Sequence, residues 1–65
     1  MIEKEYIDSS FEIGKHYLDV NRFQDALELF TDLYNALSKE PGDHEYDMMA
    51  CQCNIASSIL ISAAS

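Results

Sequence analysis

Tryptophan is missing altogether, proline occurs once and glycine twice in the 65 residues. An all-β domain of many short strands needs far more turn residues than that, so helices are favoured before any pattern is read. Basic charge is scarce as well: four Lys and Arg stand against twelve Asp and Glu, for a net charge of -8. That sign repels phosphate, and direct nucleic-acid binding is not expected. A basic partner would be drawn in by the same field, although an acidic surface also serves solubility alone. The longest apolar stretch, from Ile55 through Ile61 to Ala64, falls short of the roughly 20 residues that cross a bilayer, so no membrane span is expected. The first twenty residues carry five acids and no apolar stretch follows Met1, which leaves no secretory signal visible. The chain reads as intracellular, cytoplasmic or nuclear, and its two cysteines as reduced thiols and not a disulfide. At this length one domain fits, and its single core rarely supplies more than roughly 3–5 kcal/mol, a poor basis for an enzyme cleft.

Three amphipathic segments are present. Residues 2–19 read as a first helix, with Glu3 and Glu5 in its opening turn, where the helix dipole favours negative charge. Ile2, Tyr6, Ile13 and Tyr17 form one apolar stripe and Ile7, Phe11, Gly14 and Leu18 a neighbouring one, so this helix is expected to pack between other elements. Asp19-Val20-Asn21 breaks the pattern, and Asn21 with Gln24 is expected to form a capping box opening a second helix over 22–39. Phe23, Ala26, Leu27, Phe30, Leu33, Tyr34 and Leu37 make its apolar face, opposite Asp25, Glu28 and Asp32. Pro41-Gly42 ends it. Asp43 is the natural next N-cap, with Glu45 and Asp47 in the new first turn. A third helix is predicted over 44–63, with Met48, Ala56, Ile59, Leu60 and Ala63 as its broad apolar side. Short connections make neighbouring helices antiparallel. The fold class is therefore all-α, three antiparallel helices in one domain.

Internal self-similarity is decisive for helical hairpins. Phe11-Glu-Ile13-Gly14-Lys-His-Tyr17 followed by Phe23-Gln-Asp-Ala26-Leu27-Glu-Leu-Phe30 resembles a tetratricopeptide repeat, whose hairpin uses Leu-Gly, Tyr, Ala and Phe at similar offsets. Each type has a packing reason: Gly14 and Ala26 let the helices approach, while Tyr17, Phe23 and Phe30 fill the crossing. Asn54-Ile55-Ala56 followed by Ile59 stands in the relation of Glu12-Ile13-Gly14 followed by Tyr17, and Gly14 to Ala56 is an offset of 42 residues. The chain thus reads as one hairpin plus the first helix of a second repeat, the start of a longer repeat protein. The offset exceeds the family's usual spacing of about 34, and the family's proline is displaced to Pro41. Both departures point to a longer second helix, and Pro41-Gly42-Asp43-His44 is compatible with the long-repeat kinesin light chains and with the NASP-type histone chaperones.

The resemblance implies a protein-interaction or scaffold module that binds a protein or peptide in a concave groove lined by the first helices. On the first helix, Glu12, Lys15, His16 and Asp19 are the candidate partner-binding residues. A NASP-like chaperone of basic histones is a narrower alternative, and a structural self-association element is one of a different class. The latter rests on Ile55, Ile59, Leu60 and Ile61, which cover more than one side of the third helix. These predict a homo-oligomer, or packing on downstream repeats, since a terminal repeat normally turns a polar face outward. The basic carboxylate-clamp pattern of chaperone-tail binders needs more Lys and Arg than the four present. No cofactor, metal or catalytic constellation is read. Cys51 and Cys53 diverge by about 200° on a helix and cannot close on one ion. Cys53 lacks a base and an orienting group, and His16 and His44 sit on different elements. Tyr6, Tyr17, Phe23, Phe30 and Tyr34 read as core more than as a binding platform.

Overall fold

A single unbroken apolar stripe on the middle segment organises the molecule. In the computed structural model, which describes residues 3–64, three helices follow one another: α1 (Lys4–Asp19), α2 (Phe23–Lys39) and α3 (Glu45–Ala64). No strand occurs among the described residues. Helix α2 packs on both α1 and α3. Its Ala26, Phe30, Leu33 and Leu37 are buried, while Phe23, Leu27 and Tyr34 are half-buried at the edges of the same stripe. The predicted face is thus the observed one.

Helix α1 lies antiparallel to α2, since Ile7 clusters with Leu33 and Leu37 while Arg22 lies over the Tyr17 ring. Phe30 is fully buried and occupies the space that a side chain on Gly14 would fill. Its ring also meets that of Phe11 at 5.9 Å between centroids, tilted by 39°, within the range in which aromatic pairs attract. Burying a side chain of this size contributes roughly 1.5–3 kcal/mol. Of the two stripes expected on α1, the one through Ile7, Phe11, Gly14 and Leu18 faces α2, joined by half-buried Tyr17 from the other. Tyr6 and Ile13 stay exposed, so α1 does not pack between two elements, and Ile2 lies outside the described residues.

The α1–α2 turn corrects the capping box. Asn21 has φ +63° and stands one residue past the C-cap of α1 at Val20. The Asn21 N–H donates to the Leu18 carbonyl at 3.2 Å and the Arg22 N–H to the Tyr17 carbonyl at 2.7 Å, the paired bonds of a Schellman motif. The residue that caps α2 is Arg22, with no side-chain cap bond. Asparagine suits both an N-cap and a left-handed C-terminal position, and with no glycine in this turn the latter role wins. Arg22 then stacks 5.7 Å from the Tyr17 ring centroid and pairs with Asp25 at 2.7 Å.

Helix α2 ends as Pro41 dictates, with Glu40 extended at φ -79°, ψ 140°, and Gly42 turns the chain at φ +108°. Helix α3 starts one residue later than expected, so His44, whose carbonyl accepts the Met48 N–H, holds the N-cap position. Asp43 stands just before it, its carboxylate accepting the Glu45 N–H at 3.2 Å. Helix α3 packs on α2 through Met48, Cys51, Ile55 and Ser58, with Cys51 and Ser58 buried. The broad apolar side expected from Ala56, Ile59, Leu60 and Ala63 is instead exposed, and only Met48 of that set is partly covered. Small residues suit this contact because α2 lies close beneath it. The Ser58 hydroxyl donates to the Asn54 carbonyl of its own helix at 2.8 Å, which removes the cost of burying it. Gln52 Nε2 donates to the Tyr34 hydroxyl at 3.3 Å, tying α3 to the edge of α2.

Candidate functional site: the groove between the first and third helices

Because both α1 and α3 run antiparallel to α2, they run parallel to each other and leave an open groove of about 420 Å³ between them. Asp8, Phe11, Glu12 and Lys15 line it from α1, and Tyr46, Asp47, Ala50 and Asn54 from α3. The spacing of four and three from Asp8 through Glu12 to Lys15 puts these side chains on one helix face. Asp8 and Glu12 stand 42 residues before Ala50 and Asn54, the offset noted in the sequence, and these four lie on the facing walls.

Three carboxylates, Asp8, Glu12 and Asp47, outnumber Lys15 on these walls. Phe11, half-buried, adds an apolar surface. Tyr46 at the start of α3 is 85% exposed, leaving its ring free to lie against a guanidinium or ammonium group. Asn54 Nδ2 is committed to the Ala50 carbonyl at 2.8 Å, which fixes that side chain along its own helix.

Of the four residues expected to meet a partner, Glu12 and Lys15 line the groove, while His16 and Asp19 are exposed on the last turn of α1 and do not. Asp8, Phe11, Tyr46, Asp47, Ala50 and Asn54 are groove residues that the sequence does not mark as partner-binding. The signal that carries the first of them is the Asp8-Glu12-Lys15 spacing, and the signal for Ala50 and Asn54 is the repeat offset.

Neither cysteine joins this surface. Cys51 is fully buried, and burial, with the Asp47 carboxylate adding to it, pushes its thiol up to about 11. Such a thiol stays protonated at neutral pH and is a poor nucleophile or metal ligand. Cys53 is exposed, so the two point to different environments, as their helical separation requires. Among the described residues no group of three or more His, Cys, Asp or Glu side chains is placed to hold a metal ion, and no helix is long and apolar enough to cross a membrane. Compared with models of protein families, with curated proteins and with solved structures, the chain matches none.

Proposed function

We propose that this chain is a tetratricopeptide-type interaction module that binds a basic protein or peptide segment in the groove between α1 and α3. The observation that carries the reading is the groove itself: two parallel helices related by the repeat offset present Asp8, Glu12 and Asp47 along one open channel, with an exposed tyrosine at its end. Carboxylates in such a channel raise the local concentration of a cationic segment and select its orientation. Phe11 and Tyr46 supply apolar and π surface for the stems of Lys and Arg. The rest of the chain acts as scaffold: Gly14, Ala26 and Phe30 hold α1 on α2, and the Asp43 carboxylate holds the start of α3. Catalysis plays no part in this function, and an intracellular setting goes with it, where basic proteins such as histones are one class of candidate partner.

Titration calorimetry with a Lys/Arg-rich peptide, a core histone and an acidic peptide tests the reading. The basic ligands should bind and the acidic one should not. The combined variant Asp8→Asn, Glu12→Gln, Asp47→Asn should weaken binding at least tenfold, and affinity should fall steeply from low to moderate salt. Binding left unchanged by the triple variant would place the contact elsewhere and end the proposal. Equal affinity for the peptide and the histone would remove the histone-chaperone version while leaving the general one.

A further inference from the structure

We propose that the outer face of α3, formed by Met49, Gln52, Cys53, Ala56, Ile59 and Leu60, is a seat for the same face of a second copy of this chain. A two-fold axis at Ala56 would set the two α3 helices antiparallel.

The register of the internal repeat leads to this face. On α1 the residues turned toward α2 are Ile7, Ser10, Phe11, Gly14, Tyr17 and Leu18, all of them buried or half-buried. The 42-residue offset carries these six positions onto Met49, Gln52, Cys53, Ala56, Ile59 and Leu60, and all six of those are exposed. Met49 is 60%, Ile59 53% and Leu60 69% exposed. The converse also holds: Met48, Cys51, Ile55 and Ser58, which face α2, map back onto Tyr6, Ser9, Ile13 and His16 of α1, which are exposed. Helix α3 therefore carries two faces for neighbours, and among the described residues only the one toward α2 is packed. The uncovered face is the one that, on α1, receives an antiparallel helix with a small residue, Gly14, at the crossing. Ala56 holds that position on α3.

Charge selects a second copy as the occupant. Every Asp, Glu, Lys and Arg of the chain precedes Met48, so residues 48–64 are uncharged in a molecule of net charge -8. Two such molecules repel across their other surfaces, and this is where they can meet with no charged side chains opposed. A cationic partner gains nothing here. An antiparallel two-fold pairing also reproduces the relation of α1 to α2, with the same patch used by both molecules. It sets Cys53 against Ile59, Gln52 against Leu60 and Met49 against Ala63. Beside the seat, Phe23 and Leu27 of α2 line a further groove of about 280 Å³ with Ile59 and Ala63, so the incoming helix touches α2 as well. Of the four residues expected from the sequence to associate, Ile59 and Leu60 fall on this face. Ile55 instead points toward α2, half-buried. Ile61 continues the line of Ala50 and Asn54, on the side of the basic-segment groove.

Sedimentation equilibrium of the full chain at micromolar concentration should give a dimer, and raising the salt should tighten it by screening the net charges. Ile59→Lys with Leu60→Lys, both at exposed positions, should give a monomer whose helical circular dichroism is unchanged. In a Cys53→Ser, Ala56→Cys variant, mild oxidation should link the two copies, because the axis brings the new thiols face to face within disulfide reach. A monomer throughout the micromolar range, a dimer indifferent to the lysine pair, or weakening with salt would overturn the proposal. So would cross-linking through Ile13→Cys in place of Ala56→Cys. The test is independent of basic-peptide binding, since the two surfaces share no residue.

Discussion

Gly14 and Phe30 occupy one volume: a Cβ on Gly14 would stand 2.7 and 2.8 Å from the two Cε atoms of the Phe30 ring. Inside a helix, Gly→Ala ordinarily stabilises by about 1 kcal/mol. Here the ring is fully buried and cannot swing away, so overpacking of about 1–3 kcal/mol opposes that gain. Gly14→Ala should lower the urea midpoint, and Gly14→Ala with Phe30→Leu should lose less than the two single effects combined. An unchanged or raised midpoint for Gly14→Ala would show that the crossing is looser than this geometry requires.

The turn between α1 and α2 gives a second test. If Asn21 serves through its left-handed backbone at φ +63°, Asn21→Gly is neutral or slightly stabilising, while Asn21→Ala costs about 1 kcal/mol or somewhat more. Gln24→Ala should change nothing. Thermal melts of the three variants separate this from a capping box, in which Gln24→Ala would destabilise the helix as well.

Ala26 is fully buried on the apolar face of α2. Ala26→Asp would strand a carboxylate there at a cost of roughly 3–5 kcal/mol, comparable to all the stability such a small core supplies. The variant should lose its helical circular dichroism at 25 °C. A cooperative melt retained near the parent temperature would mean that the helices part easily enough to hydrate the charge.

The sequence revealed most where one physical signal acted alone. Helix α2 has one stripe at a period of 3.6 and one proline at its end, so both its face and its stop were readable. Helix α3 was readable as a helix but not in its orientation. Its large apolar residues surround it, and the contact with α2 is made through Cys51 and Ser58, whose small size matters more than their hydropathy. Asn21 is ambiguous in the sequence because the same residue type serves helix starts and helix ends. In the groove, Glu12 and Lys15 were legible from α1 alone, whereas Tyr46 and Asp47 depend on where α3 begins relative to α1. That placement is set by packing on α2 and by no local pattern.

The pH dependence of Cys51 supplies the last test. Its thiol is raised from 9.0 to about 11 in the folded chain, first by burial and then by Asp47. Unfolding returns it to the lower value, so between these two the unfolded chain holds fewer protons than the folded one. Stability then falls as pH rises. The contribution is fully present below about pH 9, shrinks across the interval and is gone above about 11. Other groups titrate there too, so the measurement is a difference: urea midpoints from pH 8 to 11 for the parent and for Cys51→Ala. The variant should start lower, having lost buried sulfur, but should fall less steeply with pH. Thiol labelling at pH 8 should meanwhile modify the exposed Cys53 rapidly and Cys51 only at the rate of global unfolding. Parallel pH slopes for the two proteins, or equal labelling of both cysteines, would show that Cys51 is not held in the interior as its burial against Leu33 and Leu37 requires.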